Sequence, residues 1–221
     1  MAKRKAKASD RSEQTDLRII GGEFRGSKLR YGLINKKGDA ITRPMKHRVR
    51  EAIFNLLSTE SLGRHAIDLF AGTGALGLEA LSRGATSATF IEKHIPTARI
   101  IQENIAALGV EDRTTLLVTS AFLWGKRDLP IADFGFGIAE SNLSNQSAIP
   151  WLVFCSPPYA FYVERQVDML ELIAGVRQHA PAGSVLVVEA DERFDFTLLS
   201  GNGATWDIRI YPPAVVGLWR K

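Results

Sequence analysis

A glycine-rich loop between a predicted strand and a predicted helix is the first feature with chemical consequences. Residues 68–77 read Asp-Leu-Phe-Ala-Gly-Thr-Gly-Ala-Leu-Gly, so Gly72, Gly74 and Gly77 match the pattern G-x-G-x-x-G. Glycines at this spacing allow a tight turn and let a ligand approach the backbone closely. The same pattern occurs in NAD and FAD sites and where a helix packs tightly on a strand. The predicted cofactor contacts in this loop are Asp68, Phe70, Ala71, Gly72, Thr73, Gly74 and Gly77.

Polar residues follow the next two predicted strands. Glu92 lies about 20 residues after the glycines, where a carboxylate can accept hydrogen bonds from two ribose hydroxyls. A solvated strand end is the alternative interpretation of this acid. We include the adjacent Lys93 in the predicted cofactor site. Ser120 and Ala121 follow the third strand, where a hydroxyl and a backbone N–H can meet an adenine ring.

The acid before the glycines distinguishes two classes of cofactor. In a dinucleotide site Asp68 would lie near phosphates, where its negative charge is unfavourable. Near a sulfonium and an ammonium group the same charge is acceptable. The sequence therefore favours S-adenosylmethionine, and a nicotinamide oxidoreductase is the less favoured alternative.

A second loop carries the predicted chemistry. Residues 151–155 form an apolar strand that runs directly into Ser156, Pro157, Pro158 and Tyr159. Prolines at the end of a strand stop the ladder and fix the backbone. The Ser156 hydroxyl and nearby carbonyl oxygens can then hold the N–H groups of an exocyclic amine while Tyr159 stacks on the base. Such catalysis depends on positioning and electrostatics. An ordinary strand-end turn is the alternative.

Alternating strands and helices are predicted to position these loops. Strands are expected at 66–70, 88–91, 115–118, 151–155, 184–189, 205–211 and 215–220. Helices are expected at 46–58, 75–82, 98–108 and 164–177. This order predicts an α/β fold with a mainly parallel, seven-stranded sheet that is covered on both faces and closed by an antiparallel last strand. Ligands then bind at the carboxyl ends of the strands.

Basic residues are concentrated at the start of the chain. Residues 1–50 hold fifteen Lys and Arg against five Asp and Glu, whereas the remaining residues carry a net charge of −6. Such an asymmetry attracts a phosphate-rich partner, although a solvated basic face is the alternative. We expect a disordered tail at 1–16 and a β-hairpin extension at 17–42, with strands at 17–20 and 28–31. The predicted RNA contacts are Arg18, Arg25, Lys28, Arg30, Arg43, Lys46, Arg48 and Arg50.

Other residue types limit the remaining functions. The single cysteine, Cys155, cannot form an internal disulfide and is interpreted as a small buried strand residue. The four histidines show no metal-binding spacing with it, so no metal site is predicted. No apolar run is long enough to span a bilayer, and the start of the chain does not resemble a secretory signal. We therefore expect a cytoplasmic protein.

Together these residues resemble the bacterial small-subunit rRNA guanine-N2 methyltransferases of the RsmD type. The resemblance covers residues 17–221, and its most specific part is the block 68–84. It includes the segments 18–22, 25–26, 43–44, 48–51 and 54–55. The resemblance implies a Rossmann-like class I methyltransferase domain at 43–221 with an N-terminal β-hairpin. It also implies S-adenosylmethionine as cofactor, a guanine amine in small-subunit rRNA or a 30S assembly intermediate as substrate, and a monomer.

One position and one segment depart from the family pattern. The family's loop normally reads Asp-Pro-Pro-Tyr or Asp-Pro-Pro-Phe, and Ser156 replaces the acid here. A neutral hydroxyl makes weaker hydrogen bonds than a carboxylate, so a protein that binds the cofactor and RNA without methylating is an alternative. A DNA or protein amino-methyltransferase is another, because Asn-Pro-Pro-Tyr enzymes use the same logic. The predicted surface loop at 125–150 also looks longer than in the family.

Overall fold

Seven strands and six α-helices form the molecule in a computed structural model that describes residues 17–31, 47–129 and 148–221. The strands are β1 His65–Asp68, β2 Ser87–Ile91, β3 Thr114–Leu117, β4 Trp151–Cys155, β5 Val185–Asp191, β6 Asp207–Tyr211 and β7 Ala214–Arg220. The helices are α1 His47–Leu57, α2 Ala75–Ser82, α3 Ile95–Leu108, α4 Ala121–Arg127, α5 Phe161–Glu164 and α6 Gln166–His179. Short 3₁₀ turns are present at Glu111–Arg113, Phe196–Leu199 and Gly201–Gly203.

All seven strands belong to one sheet with the order β3-β2-β1-β4-β5-β7-β6. The first five strands run parallel, and β7 is antiparallel to both of its neighbours. The predicted α/β class, the parallel core and the antiparallel last strand are therefore confirmed. Because β1 lies between β2 and β4, the loops that follow these three strands are neighbours at one edge of the sheet.

Helices cover both faces of the sheet, as the buried strands require. Along β4, Leu152 and Phe154 belong to the apolar cluster that includes α1, α2 and α3, whereas Val153 and Cys155 belong to the cluster with α4 and α6. All residues of β4 are buried. Continuous burial on both faces is the pattern expected of a central parallel strand. Among the described residues, no helix is both long and apolar enough to cross a lipid bilayer.

The predicted β-hairpin is only partly present. Residues 17–31 fold back on themselves through one β-bridge, between Arg18 and Lys28, rather than through two strands. Backbone hydrogen bonds join its two arms, with Ile19 N donating to Ser27 O at 3.0 Å and Leu29 N donating to Leu17 O at 2.8 Å, and core side chains hold the segment as well. The N–H groups of Ile20 and Gly21 donate to the buried carboxylate of Glu79 at 2.7 and 2.8 Å. The predicted tail at 1–16 and the rest of the extension lie outside the described residues.

Two predicted boundaries were wrong on the other side of the sheet. Helix α4 continues to Arg127, so the predicted loop does not begin at Gly125. A Cβ added at Gly125 would lie 2.6 Å from Leu172 Cδ1, so this glycine serves close packing of α4 on α6. The predicted helix at 164–177 is instead divided into α5 and α6, with Arg165 between them. Residues 130–147 lie outside the described part of the chain.

Candidate active site

The glycine loop is inserted between the ends of β2 and β4. Leu69 N donates to Phe154 O at 3.0 Å, and Ala71 N donates to Ile91 O at 3.1 Å. Gly72 N donates to a carboxylate oxygen of Glu92 at 3.0 Å. The glycine loop, the acid after β2 and the end of β4 therefore meet at one edge of the sheet, as the sequence predicts.

The three glycines of this loop have different physical roles. Gly72 and Gly74 adopt left-handed backbone conformations, with φ of 53° and 79°. Such conformations favour residues without a Cβ. Gly77 lies in α2, where an added Cβ would be 2.4 Å from Phe90 Cε1 on β2. The third glycine therefore allows α2 to pack directly on the sheet.

Asp68 is buried at the end of β1 with only 1% of its surface exposed. Its Oδ2 accepts a hydrogen bond from Gly77 N at 3.2 Å. Its Oδ1 is buried and has no hydrogen-bond partner within the described residues. Burial raises the pKa of Asp68 to about 7, the hydrogen bond from Gly77 opposes this, and the negative charge of Glu92 adds to it. A buried carboxylate with one free oxygen is suited to a cationic ligand.

Glu92 is half-buried beside the glycine loop. One carboxylate oxygen accepts from Gly72 N, and the other accepts from His94 N at 2.8 Å. Since each carboxylate oxygen can accept two hydrogen bonds, both keep capacity for a ligand. Because both of its oxygens accept backbone hydrogen bonds, Glu92 is fixed in orientation before any ligand binds. The neighbouring Lys93 is exposed, and its ammonium lies 5.2 Å from the centre of the Phe161 ring.

The remaining predicted cofactor contacts lie around the same edge. Ser120 precedes α4 and makes no side-chain capping hydrogen bond, and Ala121 is buried at the first position of that helix. Thr73 is buried, and its carbonyl oxygen accepts from Asn104 Nδ2 at 3.0 Å. The same amide bonds to the backbone of Arg30, with Arg30 N to Oδ1 at 2.7 Å and Nδ2 to Arg30 O at 3.0 Å. Asn104 thus joins the N-terminal segment to the glycine loop.

Sequence reasoning missed two of the three aromatic rings that pack next to this loop. Phe70, Phe122 and Phe161 have ring centres 5.7 to 6.2 Å apart. Phe122 and Phe161 lie near the starts of α4 and α5, each shortly after a strand end. Their position after strands that end at the ligand edge is the sequence signal that could have found them.

The loop after β4 is held by an acid that the sequence analysis did not single out. Glu189 lies near the end of β5 and is 5% exposed. The hydroxyl of Ser156 donates to its Oε2, and the hydroxyl of Tyr159 donates to its Oε1 at 2.5 Å. Burial raises the pKa of Glu189, and the two hydroxyl donors partly offset this. An acid that ends the apolar run 185–188 was the available signal.

The two prolines of this loop have different environments. Pro157 is buried, and Pro158 is exposed while its carbonyl accepts from Phe161 N at 2.9 Å.

Burial raises the pKa of the neighbouring Cys155 thiol to about 12, so this buried residue stays protonated. Within the described residues, no group of His, Cys, Asp or Glu side chains is placed to hold a metal ion.

The predicted RNA contacts differ in their exposure and in their partners. Arg25, Lys28 and Arg48 are exposed. Arg30 is exposed but forms an ion pair with Glu103 at 2.8 Å. Arg18 is half-buried, and its guanidinium donates to Gly26 O at 2.7 Å. Two further predicted contacts lie outside the described residues: Arg43 and Lys46.

The prediction for Arg50 was wrong. This side chain is fully buried in α1, and its guanidinium donates to Arg18 O at 2.5 Å. Burial lowers the pKa of Arg50, and the negative charge of Glu79 partly opposes this. The side chain therefore holds the N-terminal segment against the core and is not available to RNA phosphates. Helical periodicity did not predict this burial, because Arg50 is a long basic side chain at an inward-facing position of α1, where Val49 and Ile53 are also buried.

The strand order and the loops after β1, β2 and β4 define a Rossmann-like methyltransferase of class I. A family model described as "Conserved hypothetical protein 95" matches residues 17–130. Ribosomal RNA small subunit methyltransferase D of Escherichia coli K12 is 42% identical over 168 residues, which are 73% of this chain and 81% of the relative. The chain belongs to this family of methyltransferases.

Solved structures share the fold. A putative methyltransferase, yhhF, from Escherichia coli superposes with a TM-score of 0.66 at 23% identity, over 93% of this chain and 98% of its own. A Thermus thermophilus 16S rRNA N2 G1207 methyltransferase (RsmC), in complex with AdoMet and guanosine, superposes with a TM-score of 0.61 at 18% identity. That match covers 93% of this chain and 49% of the Thermus chain.

Proposed function

We propose that this protein transfers a methyl group from S-adenosylmethionine to the exocyclic N2 amine of a guanine in small-subunit ribosomal RNA. The observation that carries the proposal is the meeting of two loops at one sheet edge. The glycine loop presents a buried anionic site, and the Ser156–Tyr159 loop presents hydrogen-bond acceptors on the adjacent strand. One loop suits the cationic methyl donor, and the other suits the amine.

The residues at the edge of the sheet fit S-adenosylmethionine. The unpartnered Oδ1 of Asp68 can accept from the ammonium group, and its charge favours the nearby sulfonium. Glu92 keeps acceptor capacity for ribose hydroxyls, and Gly72 and Gly74 leave the loop backbone without side chains. When bound, the cofactor supplies an electrophilic methyl group. The protein contributes position and charge.

The loop after β4 fits the amine. The lone pair of an aromatic amine is delocalised into the ring, so acceptors that hold its N–H groups orient the lone pair for attack. Ser156 donates its own proton to Glu189, which leaves its oxygen lone pairs as acceptors. Tyr159 is anchored by its hydroxyl, so its ring has a restricted orientation against which a base can stack. Positioning of this kind supplies a large part of a methyl-transfer rate.

RNA is the substrate class that the charge distribution and the relatives support. The exposed Arg25, Lys28 and Arg48 provide phosphate contacts near the N-terminal segment. Asn104 hydrogen-bonds both to Arg30 of this segment and to Thr73 of the glycine loop, so an RNA bound at this segment would be held close to the cofactor loop. The relative from Escherichia coli is named for the small ribosomal subunit, and the Thermus protein for N2 of a guanine. Unpaired or loop nucleotides are favoured because a paired base must first be extruded.

The test is a transfer assay with tritiated S-adenosylmethionine and four acceptors. These are unmodified 16S rRNA, 30S particles from cells that lack the gene, duplex DNA and a protein extract. Digestion to nucleosides and mass spectrometry identify the product. We expect label only in RNA or 30S particles, as N2-methylguanosine. Cofactor binding without transfer to any acceptor, or label in DNA or protein, contradicts the proposal.

A further inference from the structure

We propose that Glu189 is a positioning residue of this reaction and supplies, through Ser156 and Tyr159, the negative charge that the loop lacks at position 156. The inference rests on the proposed function and adds to it a residue on a different strand. Glu189 lies on β5, where Val188 is the register partner of Cys155 at the end of β4. The carboxylate therefore lies beside the loop that begins at Ser156.

Both oxygens of Glu189 are used by this loop. Oε2 accepts from the hydroxyl of Ser156, and Oε1 accepts from the hydroxyl of Tyr159 at 2.5 Å. The hydroxyl of Tyr162 donates to the backbone carbonyl of the same residue at 2.9 Å. Three donors from one loop and the helix after it thus converge on a single residue of β5.

A buried carboxylate of this kind is costly without a cation. Burial raises the pKa of Glu189, and its carboxylate accepts hydrogen bonds from the neutral hydroxyls of Ser156 and Tyr159. Neutral donors compensate a buried charge less completely than an ion pair does. An apolar residue would fill this position on a buried strand without that cost. The acid is therefore explained by a use for its charge at the substrate edge.

The charge determines what Ser156 can do. A free serine hydroxyl rotates and can donate or accept a hydrogen bond. Donation to Glu189 fixes the proton on the protein side, so the lone pairs of Oγ face outward as acceptors. The hydrogen bond to a carboxylate also polarises the hydroxyl, which makes its oxygen a stronger acceptor. The pair of Ser156 and Glu189 thereby replaces the aspartate that the family's loop carries.

The same pair provides a path for the proton that methyl transfer releases. As the amine nitrogen forms its bond to the methyl carbon, the bond from that carbon to sulfur breaks, and the positive charge moves from sulfur to nitrogen. An N–H proton then passes to Ser156 Oγ while the Ser156 proton passes to Glu189 Oε2. The products are a neutral methylamine, a neutral thioether and a protonated Glu189, which returns its proton to water.

The experiment compares Glu189→Gln with a matched control, Asp191→Asn. Asp191 lies two residues further along β5, is also buried, and bonds to Arg193 instead of the loop. We expect Glu189→Gln to lower kcat about 10- to 100-fold, with KM for RNA and Kd for the cofactor within about threefold of wild type. Asp191→Asn keeps kcat within about threefold.

A rescue experiment distinguishes whether Glu189 acts through its charge or through its shape. Ser156→Asp introduced into Glu189→Gln places a carboxylate on the loop itself, and we expect kcat to recover about tenfold or more. In the wild-type background, Ser156→Asp gains less than about threefold, since a charge is already present. A merely structural role of Glu189 predicts no such rescue.

Several results would overturn the inference. One is a wild-type rate in Glu189→Gln, and another is a slow Glu189→Gln that Ser156→Asp leaves slow. If circular dichroism shows that Glu189→Gln is unfolded, Ser156→Ala is decisive, because loss of the relay should lower kcat about 10- to 100-fold. Ser156→Ala at wild-type rate refutes the inference. Absence of transfer by the wild type overturns the proposed function and this inference together, whereas normal transfer by Glu189→Gln overturns the inference alone.

Discussion

The buried Asp68 predicts that S-adenosylmethionine binds more tightly at high pH than at low pH. Burial raises the pKa of this carboxyl to about 7 in the ligand-free protein. The cationic cofactor favours the ionised carboxylate, because the unpartnered Oδ1 then faces positive charge. Below the raised pKa, binding must first remove a proton, and affinity therefore falls as pH falls.

The size of the effect follows from the pKa. With a pKa of about 7, roughly nine-tenths of Asp68 is protonated at pH 6 and about one-tenth at pH 8. The dissociation constant should therefore rise about tenfold from pH 8 to pH 6, a change of about 1.4 kcal/mol. The cofactor's own α-amine also titrates, near a pKa of about 8. Its contribution to the pH dependence of binding is the same for the wild type and for any variant.

Isothermal titration calorimetry at pH 6, 7 and 8 measures this dependence, and buffers of different ionisation enthalpy count the protons released. Asp68→Asn is the matched control, because it keeps the acceptor oxygen and removes the titration. We expect it to bind about 10- to 100-fold more weakly at pH 8 and to lose the pH dependence attributed to Asp68. Identical pH profiles for wild type and Asp68→Asn would refute the role of Asp68.

Four further variants test packing and the RNA surface. Gly77→Ala should destabilise the fold by about 1–3 kcal/mol, because its Cβ would lie 2.4 Å from Phe90 Cε1. Thermal unfolding measures this, and Gly201→Ala, whose added Cβ would have no neighbour within 4 Å, should leave the melting temperature unchanged. Arg48→Gln should weaken RNA binding and reduce the salt slope by about one without changing stability, since Arg48 is exposed. Arg50→Gln should lower the free energy of unfolding by about 1–3 kcal/mol through loss of a buried charged hydrogen bond. Equal melting temperatures for the Arg48 and Arg50 variants would contradict the assignment.

Local patterns were sufficient to predict the parallel sheet and the glycine loop. Strand and helix periodicity is a property of neighbouring residues, and the parallel order follows once strands and helices alternate. The positions of Asp68 and Glu92 at adjacent strand ends follow from the same topology. These parts of the site are confirmed as neighbours, with Gly72 bonded to Glu92.

Contacts between distant segments could not be predicted in this way. Glu189 is 33 residues from Ser156, and the value of its charge depends on which strand lies beside β4. Arg50 satisfies the periodicity of a basic face, yet the carbonyl of Arg18 and the charge of Glu79 draw it inward. The predicted hairpin has one bridge, and the N–H groups of Ile20 and Gly21 bond to the buried carboxylate of Glu79, a contact between distant segments that local patterns do not reveal.

The most direct test of methyl transfer to ribosomal guanine is a nucleoside-resolved map of small-subunit rRNA from cells with and without the gene. We predict that one guanine loses its N2 methyl group in the cells without the gene. Wild-type protein restores that methyl group, and Asp68→Asn does not. Identical methylation maps with and without the gene would contradict the account.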